Sequence, residues 1–390
     1  MITGIDAITY STDQWDEARQ FLNDWGLQEL AFSSTEQCFE TLSGAQVIVR
    51  RPSDATLAPA MEAGPTLREV VWGVDSDADL DLLAKSLGSV LASDALTPTL
   101  SRNAGEGARN ILTSLPLPRG EGWGEGDCAR RHVANQASSP PNADSKAQRR
   151  VSAIDPHGLR IVFQRSRQRS VAVQGAATNP YGNAQRINAP SPVYERATPI
   201  EIGHVVLFTD KLSVAVSFYE TLGFVLSDSY PGRGAFLRCA PTGGHHDLFL
   251  LQVPGKATGL NHVAFTVRDI HEVFGGGLAM GRAGWKTQLG PGRHPISSAY
   301  FWYFDNPCGG LIEYNADEDH LTEAWQAREF TPGPTVFAEW AIDGGIDGHT
   351  RRQPQAAAST GPAGKPSGGA APGPPNPSAE RAVFLTEKKP

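Results

Sequence analysis

The chain has little cysteine and no long hydrophobic run. Four cysteines in 390 residues, Cys38, Cys128, Cys239 and Cys308, lie apart with no CxxC spacing. That argues against both a disulfide framework and a thiolate metal site. Cys128 and His132 could form half of a zinc site, but no second half is present. No apolar stretch approaches the roughly 18 residues needed to cross a bilayer. The start, MITGIDAITYSTDQW, lacks a basic segment followed by a hydrophobic one, so a cytoplasmic protein is expected, without membrane association. Excess positive charge is missing too: a net charge of -8 disfavours a general nucleic-acid partner. The Gly-x-Gly strings near residue 120 have no strand before them and no helix after, which excludes a phosphate-binding loop.

What the chain does contain is an internal repeat. Residues 5–27 (IDAITYSTDQWDEARQFLNDWGL) align without a gap on residues 202–224 (IGHVVLFTDKLSVAVSFYETLGF). In each, an apolar strand ends near an aspartate, Asp13 or Asp210, an amphipathic helix follows, and a glycine, Gly26 or Gly223, is placed to close it. A second unit, from Arg68 to Leu87, matches the segment beginning at Asn261, and DPHGLRIVF from Asp155 matches NPCGGLIEY from Asn306. The pattern predicts four βαβββ-like units in two modules, an α+β architecture of mainly antiparallel sheets with helices outside.

Within the second module, three short apolar strands each carry one polar residue: IGHVVLF holds His204, LNHVAFT holds His262 and GLIEYNA holds Glu313. A lone buried histidine usually finds a hydrogen-bond partner. Two imidazoles and a carboxylate together suit one metal ion with open coordination positions, the donor set of non-haem Fe(II) oxygenases. Aligning the modules places Ala7, Glu69 and about Val162 at the matching positions of the first, where Ala7 and Val162 cannot ligate. The first module is therefore expected to be metal-free, with Glu69 a surface or barrel-mouth carboxylate.

Between the first and last of the three ligands fall Gly243-Gly244-His245-His246, Gly292-Arg293-His294 and Tyr303. Over about residues 199–330 the chain thus resembles the type I extradiol ring-cleavage dioxygenases of the vicinal oxygen chelate superfamily. The resemblance implies two modules, each an open, mainly antiparallel barrel with outer helices, and Fe(II) held by His204, His262 and Glu313, with Mn(II) admitted by the same donors. It implies His246 as the acid/base, His294 as a hydrogen-bond partner of a substrate oxygen and Tyr303 as a stabiliser of the bound catecholate. The expected partners are a catecholic substrate and O2, and a homo-oligomer is expected.

Strand alternation predicts that His245 points away from the cup. His157 and His271 are expected to face solvent, and His320 to start a helix. The chain departs from the family at Ser297, where an acidic residue often orients the imidazole corresponding to His294. The aromatic run Tyr300, Phe301, Trp302 suits either a ring-binding wall or a buried core strand.

The expected boundaries are residues 1–165 for the metal-free module, 166–199 for a linker, 200–335 for the metal-binding catalytic module and 345–390 for a low-complexity tail. Residues from about 92 to 150, rich in Gly, Pro, Arg and Ser, read as a disordered insertion, and the tail as disordered. Two other functions use the same module: a metal-dependent isomerase, epimerase or lyase, and a protein that binds an aromatic ligand without turnover.

Overall fold

The computed structural model describes residues 1–94, 148–333 and 337–343. Most of the stretch read as an insertion, and the tail, lie outside the described residues. The first repeat comprises β1 (Ile2–Ser11), α1 (Trp15–Asp24), β2 (Gln28–Phe32), β3 (Glu36–Glu40) and β4 (Gln46–Arg50). Its second unit is β5 (Thr66–Val74), α2 (Asp77–Asp94), β6 (Arg150–Ile154) and β7 (Arg160–Arg165). The helix α2 thus enters the stretch read as an insertion.

The second repeat follows the same order with two additional strands among the described residues. It runs β8 (Glu201–Phe208), α3 (Leu212–Thr221), β9 (Val225–Tyr230), β10 (Gly234–Arg238), β11 (Gly243–Gly244) and β12 (Leu248–Leu251). Then come β13 (Gly259–Thr266), α4 (Ile270–Arg282), β14 (Thr287–Arg293), β15 (Tyr300–Asp305) and β16 (Leu311–Ala316). Three short strands close the described chain: β17 (His320–Leu321), β18 (Arg328–Glu329) and β19 (Trp340–Asp343). Of these, β19 pairs with β14, so regular structure continues past residue 335.

Registers in the two halves correspond. β13 runs antiparallel to β8 and parallel to β16, with Ala264 opposite both His204 and Glu313. β5 does the same between β1 and β7, with Val71 opposite Ala7 and Val162. Two sheets of this kind curl into cups, joined where Ile5 of β1 pairs with Ile202 of β8. Gly26 and Gly223 take φ of +102° and +97° just past their helices, as their spacing predicts.

Each half also braces the other. The ring of Trp25, after α1, stacks on Tyr314 of β16 at 3.6 Å and 3°, and the Tyr314 hydroxyl donates to the Trp25 carbonyl at 2.7 Å. In the other direction, the Tyr219 hydroxyl on α3 donates to Asp155 Oδ2 at 2.7 Å. His157 Nδ1 lies 2.8 Å from that same oxygen. His157 is consequently buried, contrary to the expectation that it faces solvent: its turn is packed under α3, not exposed at an edge.

Helix α4 fixes the back of the sheet that carries the candidate site. The Asp269 side chain caps it by accepting from Glu272 N–H. Gly276 and Gly277 lie so close to β16 and β15 that an added Cβ would meet the Tyr314 ring at 2.8 Å and the Trp302 ring at 2.0 Å. Glycine inside a helix costs about 1 kcal/mol relative to alanine. Here it lets the helix lie against two large aromatic rings, which the dispersion contacts of close packing offset.

Candidate metal centre

His204, His262 and Glu313 converge on the floor of the second cup, all buried. His204 Nε2 lies 3.2 Å from His262 Nε2, and Glu313 Oε2 is 3.3 Å from the first and 3.0 Å from the second. Their positions follow from strand register: three adjacent strands in one curved sheet each turn one side chain inward, His204 and Glu313 level with Ala264 of β13 and His262 two residues before it on the same face.

The donor set fits a metal ion. Ligand atoms at right angles, about 2.0–2.2 Å from one centre, would stand roughly 3 Å apart. Neither Glu313 oxygen has a hydrogen-bond partner of proper geometry, although both are shielded from solvent. His262 Nδ1 lies 2.5 Å from Asn261 Oδ1; an amide oxygen only accepts, so the proton sits on Nδ1 and Nε2 offers a lone pair. Two imidazole nitrogens and a carboxylate oxygen this close together could hold one metal ion.

Electrostatics prepares the donors for that cation. Burial, followed by the neighbouring His246, pushes His204 below the ordinary imidazole range. Burial does the same to His262, against the pull of Glu313. For Glu313 burial acts in the opposite direction, but the imidazoles of His204, His262 and His294 hold it well below the usual carboxylate range. Neutral imidazoles and an ionised carboxylate are the forms that bind metal.

The other expected residues line the same cup. His246 packs against His204, tilted by 32° at 4.1 Å between ring centres, and burial, followed by His245, pushes it well below the ordinary imidazole range. His294 Nε2 lies 3.1 Å from the Tyr303 hydroxyl and 3.7 Å from Glu313 Oε1. Tyr303 meets His262 edge to face at 5.0 Å, and burial, then Glu313, raises its hydroxyl well above its ordinary value. On β15, Phe301 and Tyr303 join Leu289 in an apolar group on the cup side, while Trp302 and Phe304 enter the main core. The aromatic run is both wall and core, alternating along one strand.

The structure supplies the support that Ser297 cannot. His294 Nδ1–H donates to the backbone carbonyl of Phe337 at 2.7 Å, a segment that folds back over the cup and leads into β19. A main-chain acceptor leaves no trace in the sequence. Glu318, also missed, places Oε1 3.0 Å from His246 Nδ1, and with His204 and His246 it forms a second group of close metal-competent donors among the described residues. Its string, DEDH, looks like an ordinary solvated acidic turn. Asn261 did leave a signal, as a polar residue beside His262 in an apolar run.

Other expectations resolve as follows. His245 turns away from the cup, as alternation predicts, to reach Asp228. His271 is half-buried, with Nε2 3.5 Å from the Ser191 hydroxyl. His320 starts no helix but pairs in β17 with Gly244 of β11, because this pairing takes the backbone bonds a helix would need. In the first cup the matching space is filled by Ala7, Val71 and Val162 packed together, and Glu69 pairs with Arg160 at 3.1 Å.

Two cups of paired βαβββ units, one with a His/His/Glu cluster on three neighbouring strands, resemble the vicinal oxygen chelate fold. Residues 201–314 match the sequence model of the Glyoxalase/Bleomycin resistance protein/Dioxygenase superfamily. Over 152 residues the chain is 38% identical to metapyrocatechase 2 of Cupriavidus necator, which covers 38% of this chain and 47% of that protein. The chain therefore matches about half the length of its curated relative.

Solved structures agree on the fold. The Mn(II)-bound glyoxalase of Novosphingobium aromaticivorans superimposes with a TM-score of 0.60 at 21% identity, over 91% of this chain and 95% of that one. Homoprotocatechuate 2,3-dioxygenase of Arthrobacter globiformis gives 0.55 at 16% identity, over 87% and 88%. No helix among the described residues is long and apolar enough to cross a membrane.

Proposed function

We propose that the protein cleaves a catecholic ring by extradiol insertion of dioxygen at one Fe(II) held by His204, His262 and Glu313, with Mn(II) as the alternative ion. The observation that carries this reading is Glu313: a fully buried carboxylate without a hydrogen bond on either oxygen, within 3.3 Å of two imidazole nitrogens. The bound metal would supply Lewis acidity to both catechol hydroxyls, together with redox access to O2.

The chain's residues would orient the ring and manage protons. His246, buried and neutral beside His204, can accept a substrate proton and later return it. Because His294 Nδ1 donates to the Phe337 carbonyl, its Nε2 faces the cup as an acceptor. Tyr303, held protonated by burial, can donate to a catecholate oxygen. Val206, Phe236, Phe249 and Ile296 line the space around these groups and exclude water.

A cavity of about 310 Å³ leads outward from His262 and Tyr303. Leu251, Val253, Leu260, Leu289 and Phe337 line it, and Lys256 is its single cationic side chain among the described residues. Such a wall favours a catechol with an apolar substituent directed away from the metal.

The test is anaerobic reconstitution with Fe(II), followed by oxygen uptake and ring-fission absorbance over a panel of alkyl-, aryl- and carboxyl-substituted catechols. Stoichiometric uptake with a yellow product supports the reading; a metal-loaded protein that consumes no oxygen with any catechol overturns it. A metal-dependent isomerase or lyase would use the same three ligands, and the glyoxalase superposition favours keeping it as the second reading. His246→Phe separates the two. It should lower ring cleavage about 100-fold or more, in line with loss of a general acid/base, with metal still bound.

A further inference from the structure

His246 is the inner end of a buried chain of polar groups that leads away from the cup. Its Nδ1 faces His245 Nδ1 at 3.2 Å, and His245 Nε2 faces Asp228 Oδ2 at 2.9 Å. Asp228 and His245 are both fully buried. Arg328 grips the aspartate from outside: its backbone N–H reaches Oδ1 at 2.8 Å, and its guanidinium reaches Oδ2 at 2.6 Å. Arg328 belongs to β18, which pairs with the aspartate's own strand β9. The Arg328 guanidinium also lies over the Trp325 ring at 4.6 Å, so the outer end of the chain is held on several sides.

The order of donors follows from this geometry. An ionised aspartate only accepts, so the proton it shares with His245 must sit on His245 Nε2. A neutral His245 then offers a lone pair at Nδ1, which can be satisfied only if His246 carries its proton on Nδ1. Glu318 Oε1 also lies 3.0 Å from that nitrogen, but makes no hydrogen bond to it and so does not set the proton. His246 Nε2 is left as a lone pair. Which ring nitrogen of a histidine faces its task is generally set by the bond the other makes.

We infer that Asp228 and His245 are positioning residues that keep the His246 proton on Nδ1, so that Nε2 stands ready as a base. The role of that base rests on the dioxygenase reading; the placement of the proton does not. Neither residue touches the cup. The arrangement spans Asp228 on β9, the turn after β11 and the returning segment at β18, so the last described strands help to set up the site they cover.

The test reads the proton directly. In the full-length chain labelled with 15N-histidine, with His245→Gln and His246→Gln spectra used for assignment, ring-nitrogen shifts report which nitrogen is protonated. The expected result is His245 protonated on Nε2 and His246 on Nδ1. The opposite pattern in the wild-type chain overturns the inference without any variant having to fold. Asp228→Asn places an amide donor against His245 Nε2, and should bring a proton onto His246 Nε2. In Fe(II)-loaded enzyme it should lower kcat about 10–100-fold, the usual effect of losing an outer hydrogen-bond partner, with KM and iron content unchanged. A folded Asp228→Asn protein with wild-type tautomers and wild-type kcat would show the chain to be structural only. Because the nitrogen shifts need no turnover, they stand even if every catechol fails as a substrate.

Discussion

The Trp25 ring lies flat on Tyr314, 3.6 Å away, and Tyr314 is the residue next to Glu313 on β16. The first half of the molecule thus buttresses the strand that carries the carboxylate of the candidate triad. The contact lies on the face of β16 opposite the cup, where α4 also packs.

Trp25→Ala should destabilise the protein by about 3–5 kcal/mol, the range for deleting a large buried aromatic. It should also weaken metal binding by letting β16 shift. Denaturant unfolding and metal titration of one preparation check both effects. Lost stability with unchanged metal affinity would mean that the brace does not extend to Glu313.

Glu313→Gln keeps the shape and removes the charge. Outer-shell partners alone are worth about 10–100-fold in metal affinity, and loss of the anionic ligand should exceed that. Elemental analysis after reconstitution and desalting is the check. Stoichiometric metal in the variant would point instead to the neighbouring group of His204, His246 and Glu318.

Phe337→Ala opens the cavity wall while keeping the main-chain carbonyl that accepts from His294. Loss of apolar contact with a substituent is worth about 1–3 kcal/mol in discrimination. The ratio of kcat/KM between an aryl-substituted and an unsubstituted catechol should therefore fall about 10-fold or more. An unchanged ratio would place the substituent elsewhere.

Acid should destabilise the metal-free chain in a defined window. His204, His246 and His262 all sit below the ordinary imidazole range when folded. Between the folded values and the unfolded value of about 6.5, the unfolded chain binds more protons, so stability rises with pH. The contribution is complete above about pH 6.5 and is lost on acidification below it. Glu313 is depressed in the same sense, adding a further loss below its unfolded value of about 4.3. Burial raises Asp247, to about 7, and Glu201, Glu272 and Glu318, which act in the opposite sense. The histidine contribution is therefore read as the difference in melting temperature between the wild-type chain and a His246→Phe variant from about pH 6.5 to about pH 4; identical profiles would contradict it. Metal retention should fail over the same range, because protonated imidazoles cannot ligate.

Much of this was legible in the chain itself. The repeat and its punctuating glycines announce the four units. His204, His262 and Glu313 declare themselves because each interrupts an apolar strand, a local signal that needs no partner to be read. Alternation correctly turned His245 out of the cup. Ala7 and Val162 offer no ligand atoms at the matching positions of the first cup, where they pack with Val71.

Tertiary structure decided the rest. Phe337 supports His294 through a carbonyl that any residue possesses, across a separation of 43 residues. Arg328 reaches Asp228 across 100, and Tyr314 reaches Trp25 across 289. His157 is buried only because a helix from the other half covers it. Strand period and side-chain polarity are properties of neighbours along the chain, so the three candidate residues could be read from the string. Second partners, braces and proton positions arise where distant segments exclude water together, and only the folded arrangement specifies which segments those are.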